Sequence, residues 1–482
     1  MRRTDHEDWS EQVPDQQRRT VFQPPLPAPV RVNPIRSLAD WQRMRDACLR
    51  DPGAFHGEIA ARTIHWYHPG EQAWLTQIGG TWQGWSVTDF APVTMADWTP
   101  WEQALDAGEA PFYRWFSGAR TNAAFNEVDR HVLAGHGAEV AYYFEGDRWD
   151  AAANGGRGGP VRQSILTRRE LLLQSAVAAI ALQSLGLGQG DCIALNMPNI
   201  LEQIVWTEAA KRLGVIYTPV FGGFSDKTLS DRIENSGARV VITADGASRN
   251  AEAVPFKETY SDPALDRYVA VPVAVRLVGE VAAQHCAPGL AGRLADGVRA
   301  LLTDEITLLP ADVMRAVGQV LDREGGLDPA VGAELRGDLA EALVTAPPRV
   351  EKVIVVRHAG LPDVPWVAGR DVWAHELLTE AEQKLCLSAG VADMAALRQL
   401  EDRQLVTAIW RKIPCRAVEA DFPMFIIYTS GSTGKPKGVV HVHGGYVAGV
   451  THTMQVSFDA VPGRDVIFVV ADPGWITGQS YL

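Results

Sequence analysis

The chain has 482 residues, 46% of them hydrophobic and 21% charged, which fits a globular protein of two or three domains. A formal charge of −13 argues against a general nucleic-acid partner, which would want a basic surface. Cys48, Cys192, Cys286, Cys386 and Cys415 are odd in number and scattered, with no CxxC pair; no apolar signal core or membrane-length run accompanies them. They predict reduced thiols in a cytoplasmic protein without a membrane partner.

In chain order, residues 1–37 turn from polar to proline-rich and predict a disordered or polyproline tail. Residues 38–150 hold Trp41, Trp66, Trp74, Trp82, Trp85, Trp98, Trp101 and Trp115, read as packing anchors rather than a recognition surface. From 151 to 260, after the loop AAANGGRGGP, strand and helix alternate. Cys192–Leu195, Val215–Val220 and Val240–Thr243 are short apolar strands. Between them, Asn199 is expected to cap a helix carrying Ile200, Ile204 and Leu213 and closed by Gly214. Ser225 is expected to cap a second helix, with Leu229 and Ile233 on one face. Such alternation predicts an α/β fold with a parallel sheet covered by helices.

Residues 261–348 change to helices alone. Leu290, Leu294, Val298 and Leu301 share a stripe, as do Val313, Val317 and Val320, then Leu335, Leu339 and Leu343. Asp328-Pro329 is a helix start. With no titratable cluster, this segment reads as an insertion for packing or docking. Residues 349–482 return to α/β, with strand candidates Val353–Val356, Met424–Tyr428 and Val466–Ala471 and a helical piece at Ala395–Trp410.

The strongest chemical signal is YTSGSTGKPKGV, Tyr428 to Val439, directly after the apolar run Met424–Ile427. Glycines allow close backbone approach, and N–H groups, hydroxyls and two ammonium groups can then surround a polyphosphate. Walker spacing is absent: only Ser432 and Thr433 separate Gly431 from Gly434, and Pro436 stands where Ser or Thr would follow the lysine. His441 and His443 lie two apart, but no further ligands are spaced for zinc, so no metal site is predicted.

This string resembles the phosphate loop of adenylate-forming (AMP-binding) enzymes, which include acyl-CoA synthetases. The resemblance implies an incomplete N-terminal domain of that fold plus the helical insertion. It assigns Thr429, Ser430, Gly431, Ser432, Thr433, Gly434, Lys435 and Lys437 to the ATP phosphates, with Thr429 and Lys437 as the catalytic pair. Lys437 could meet phosphate or tie the loop down; both readings stay open. Carboxylate attack on ATP brings anions together, so charge neutralisation and positioning must carry it, with Mg²⁺ beside the phosphates.

Other segments resemble acetyl-CoA synthetases in particular: DPGAFHGEIA (51–60), IHW (64–66), the stretch Arg120 to His131, VFGGFSDKTLSDRI (220–233) and VVITADGASR (240–249). By that resemblance Phe221, Gly222, Gly223 and Arg249 contact CoA, although Glu252 stands where the family has a second CoA arginine. Arg249 as a plain surface charge remains equally open. ADPGWITGQSYL (471–482) resembles the acyl-pocket motif and places Trp475, Ile476, Thr477 and Gln479 there, Gln479 replacing the family's usual His. Trp475 as simple core is the alternative.

Gln479 together with the insertion, NEVDRHVLAGHGAEVAYYFEGDRWD (126–150) and HVHGGYVAGVTHT (441–453) resembles the ligase part of trifunctional enzymes. Those enzymes activate 3-hydroxypropionate ahead of a hydratase module and an NADPH-dependent reductase module. The family's later motifs have no match before Leu482, so a fragment unable to complete adenylation alone is expected. Two other readings remain: an acetate or propionate ligase with an unusual insertion, and a non-catalytic ATP-binding scaffold. The oligomeric state is left open.

Overall fold

The computed structural model of the protein describes residues 35–249, 252–325, 327–346, 349–429 and 436–481. Two capped helices come first. Ser37 accepts from Asp40 N to start α1 (Leu38–Arg50), and Asp51 accepts from Ala54 N, with Pro52 in the first turn, to start α2 (Pro52–Thr63). An antiparallel meander follows: β1 (Trp66–His68), β2 (Ala73–Ile78), β3 (Thr81–Ser86) and β4 (Pro92–Met95), paired in that order. Trp66, Trp74 and Trp82 are buried there, and Trp85, Trp98 and Trp101 pack partly buried around them, whereas Trp41 is exposed. A Cβ at Gly84 would lie 1.9 Å from the Trp74 carbonyl oxygen, so only glycine lets β3 lie against β2.

After α3 (Arg168–Ser184), capped by Thr167, the main sheet begins. β5 (Cys192–Leu195) leads to α4 (Leu201–Leu213), β6 (Ile216–Pro219), α5 (Asp226–Ser236) and β7 (Ala238–Ala244). Gly214 (φ 69°) and Gly237 (φ 71°) end the two helices in the left-handed conformation that favours glycine. Ser225 caps α5 by accepting from Thr228 N, as expected. Asn199 does not cap α4. Ile200 holds the N-cap position without a side-chain bond, and Asn199 lines a cavity instead.

The insertion supplies α6 (Val271–His285), α7 (Pro288–Leu301), α8 (Pro310–Glu324) and α9 (Pro329–Val344), all started by Pro in the first turn. Their stripes form a separate core around Leu294, Val298, Val313, Val317 and Leu339, with Leu290 partly buried against it, whereas Leu301, expected on the first stripe, stands exposed. The sheet then resumes with β8 (Lys352–Val356) and β9 (Asp371–Trp373), followed by α10 (Ala374–Ala389) and α11 (Asp402–Lys412). Next come β10 (Pro423–Thr429), β11 (Lys437–Val442), α12 (His443–Val456) and α13 (Ile476–Ser480).

Strand order is β9-β8-β7-β5-β6-β10-β11, parallel throughout except for the antiparallel β10–β11 pair. The expected α/β architecture is therefore present. The expected strand at Val466–Ala471 is not formed. Its apolar residues find no ladder partner among the described strands, and Val466, Phe468 and Val470 stand exposed.

A buried ion pair ties this body together. Arg212, at the end of α4, bonds Asp129 and the Ile413 carbonyl; Trp410 Nε1 also donates to Asp129. Both charged partners are fully buried, so each needs the other.

Candidate functional site

The strand order reverses about β5, and α/β sheets bind ligands outside the carboxyl ends of their strands at such a point. A cavity of about 900 Å³ lies there, bounded by the segments that follow β5, β6, β7 and β8. Asp245, just after β7, fixes part of its wall. Its buried carboxylate accepts N–H bonds from Gly246, His358, Ala359, Gly360 and Leu361 at 2.6–3.0 Å. Nothing in the motif reading singled out Asp245; the ADG turn after an apolar strand was the available signal.

Phe221 and Gly222, expected at CoA, line this cavity. A Cβ at Gly222 would come within 2.5 Å of the Phe256 ring, so the loop needs glycine there. Gly223 follows in the same turn before α5, and a Cβ on it would strike the Phe221 ring at 2.4 Å. Arg249 sits on a small hairpin whose register pairs it with Glu252; its side chain lies outside the described residues. Arg148 and Arg162 bring basic groups to the cavity that sequence reasoning missed. Arg162 is held by the ring nitrogen and carbonyl of His358, each at 3.2 Å.

The acyl-motif turn meets the same chamber. Gly474 packs so closely that a Cβ would lie 2.4 Å from Phe221 N, and Trp475 lines the cavity with its ring 6.3 Å from Phe221 and 6.0 Å from Phe224. Ile476 and Thr477 are exposed on α13, apart from the lining residues. Gln479 is partly buried: its Oε1 accepts from the Tyr217 hydroxyl at 3.1 Å and its Nε2 donates to the Pro473 carbonyl at 2.7 Å.

At the adjoining carboxyl end of β10, Thr429 and Lys437 are cross-strand partners at the mouth of the β10–β11 hairpin, and both are exposed. Ser430, Gly431, Ser432, Thr433, Gly434 and Lys435 lie outside the described residues. Below them, Tyr428 donates to Asn235 Oδ1 at 2.7 Å, and Thr218 donates to the Ile426 carbonyl at 3.0 Å.

His441 stacks on Phe425 at 4.5 Å. His443 begins a helix rather than sharing a strand face with it, and accepts from Ala123 N at 3.1 Å. Burial pushes the His443 imidazole down to about 3, so it stays neutral. Among the described residues, no group of three or more His, Cys, Asp or Glu is placed to hold a metal ion, and no helix is long and apolar enough to cross a membrane.

The chain matches the AMP-binding enzyme family over residues 147–286 and 339–482, and the acetyl-coenzyme A synthetase N-terminus over 96–126. It is 32% identical over 380 residues to an acetyl-coenzyme A synthetase of Streptomyces avermitilis, covering 79% of this chain and 40% of that protein. One from Thiobacillus denitrificans is 33% identical over 387 residues (80% and 41%), and one from Burkholderia thailandensis 28% over 464 (96% and 47%). The chain thus spans less than half the length of these relatives. The family match covers more than half of the chain, on the sheet that builds the cavity: the chain belongs to the AMP-binding enzyme family.

Proposed function

We propose that this chain carries the acid- and nucleotide-facing part of an AMP-forming acyl-CoA ligase. A small carboxylic acid attacks the α-phosphorus of ATP, pyrophosphate leaves, and the CoA thiol then displaces AMP to give the thioester. One observation carries the reading: Gly474 brings the Trp475 turn onto the Phe221–Gly222 loop over a single cavity, at the sheet edge where β10 ends in Thr429. Groups read as facing the acid and the thiol then border one chamber, and Thr429 ends the strand paired beside β6.

In this reading the hydroxyls of Thr429 and Thr433 and the ammonium groups of Lys435 and Lys437 spread the phosphate charge. Trp475 closes the pocket to long acids, and Phe221, Gly222, Gly223 and Arg249 face CoA. Mg²⁺ keeps mostly phosphate and water oxygens as ligands, so it would arrive with ATP and need no protein cage. Relatives named acetyl-coenzyme A synthetase favour a two- or three-carbon acid. A finer reading takes 3-hydroxypropionate as the acid and a propionyl-CoA synthase, with hydratase and NADPH-dependent reductase modules, as the whole protein. The insertion, which the family match skips in large part, and Gln479, standing where the family usually has His, motivate it.

The test is acid-dependent exchange of pyrophosphate into ATP by the full-length gene product. Exchange with acetate, propionate or 3-hydroxypropionate, lost in the triple variant T433A/K435A/K437A, is expected. Exchange at normal speed in that variant would overturn the reading; acetate working and 3-hydroxypropionate failing would overturn only its finer half.

A further inference from the structure

We propose that Tyr217 is a positioning residue: acting through Gln479, it latches the Asp472–Trp475 turn to the main sheet and so sets the room beside Trp475. Tyr217 lies in β6, paired with Ile193 on one side and Phe425 on the other. It is 1% exposed, and its ring stacks on Phe425 at 5.4 Å. A phenol buried so deeply needs a hydrogen-bond partner, and its partner is Gln479, 262 residues away.

Burial keeps the proton on this hydroxyl, so it is a donor at every ordinary pH. Gln479 must then turn its Oε1 toward Tyr217. That choice aims Nε2 at the Pro473 carbonyl, and both bonds are made only this way round. One amide thus spans from the sheet to the turn.

The turn itself is closed internally. Asp472 accepts from Gly474 N at 2.7 Å through its carboxylate and from Trp475 N at 3.0 Å through its carbonyl, so the turn moves as a unit. Upstream, the segment joins no strand ladder among the described residues, and Val466, Phe468 and Val470 are 74%, 88% and 77% exposed. Its ties to the body include the Gln479 bridge, the contact of Gly474 with Phe221, the Trp475 ring against Phe221 and Phe224, and the hydrogen bond between Tyr446 and Ser480 at 2.8 Å. The substituted Gln479 therefore acts on the acid indirectly, with its oxygen and one N–H already committed. The latch stands on the structure alone; its effect on acid choice rests on the ligase reading.

Tyr217→Phe removes one oxygen and leaves the packing intact. Hydrogen exchange of this chain should speed up about tenfold at amides 472–481, the scale of one lost hydrogen bond, while β5 to β8 keep their protection. Unchanged exchange there would overturn the latch. In the full-length gene product the variant should raise KM for the acid about tenfold and narrow the preference between acetate and butyrate, with KM for ATP unchanged. Gln479→Leu should do the same, and the double variant should be no worse than either single one. Additive losses, or a shift in the ATP constant alone, would contradict the proposal. Should Tyr217→Phe fail to fold, Gln479→Leu on the partly buried α13 carries the same exchange test. A wild-type protein that activates no small acid sinks the ligase reading, and the exchange result still decides the latch.

Discussion

The sheet body and the helical insertion are built on different physics. Within the body, charge is buried and paired: Arg212 and Asp129 are both fully enclosed, and Lys211 bridges Glu127 and Glu208 beside them. The insertion's own core is apolar, and its links to the body are polar, the Thr307–Asp231 link being buried. Thr307 donates through N and Oγ1 to Asp231 at 3.0 and 2.7 Å, while Tyr268 and Arg267 reach Asp226 and Lys227 reaches Glu305. The family match also skips residues 287–338, most of this unit. A unit attached this way can vary without disturbing the cavity, except through α5. That helix takes the insertion's contacts along one side, places Arg232 3.9 Å from the Phe224 ring, and receives the Tyr428 hydroxyl on Asn235.

The contrast can be broken by substitution. Arg212→Met strands a buried carboxylate and should cost the body about 3–5 kcal/mol in chemical denaturation. A loss below about 1 kcal/mol would mean the pair is not enclosed as described. Leu294→Ala should cost about 2–5 kcal/mol, but within the insertion alone. Hydrogen exchange should then rise in α6 to α9 while β5 to β8 stay protected; uniform loss would merge the two regions.

Acid should affect the body through its buried histidines. His443 is held down to about 3 and His131 to about 2, both chiefly by burial, while an unfolded histidine titrates near 6.5. Their depressed values mean stability is complete above about 6.5 and falls as pH drops toward 3. His443→Asn, which can still accept from Ala123 N, should remove about 2 kcal/mol of the loss between pH 7 and 5. An unchanged pH slope would show that His443 is not the titrating group. The smallest effect belongs to the join: Asp231→Asn should weaken insertion docking by about 1 kcal/mol, read as faster exchange at Thr307 with both cores intact.

Much of this was legible in the chain because local rules and tertiary structure agree. Apolar runs bounded by Gly214 and Gly237 became parallel strands and closed helices, and the stripes through Leu294 and Leu339 became the insertion core. Val466–Ala471 misled because an apolar run becomes a strand only beside a partner. Asn199 misled because the loop after β5 turns it to the cavity. The phosphate reading falls largely on residues 430–435, outside the described ones, while Trp475 and Phe221 were read separately and their meeting over one chamber was not. Asp129 with Arg212, and Tyr217 with Gln479, were invisible because no periodicity links residues so far apart.

The central claim is that the chamber between Trp475 and the Phe221 loop receives the acid. Trp475→Gly in the full-length gene product tests it most directly, with kcat/KM measured for acids of two to eight carbons. Preference should move to longer chains, each accepted methylene being worth about 10- to 200-fold. Thioester formation at the normal rate with an unshifted preference would place the acid elsewhere.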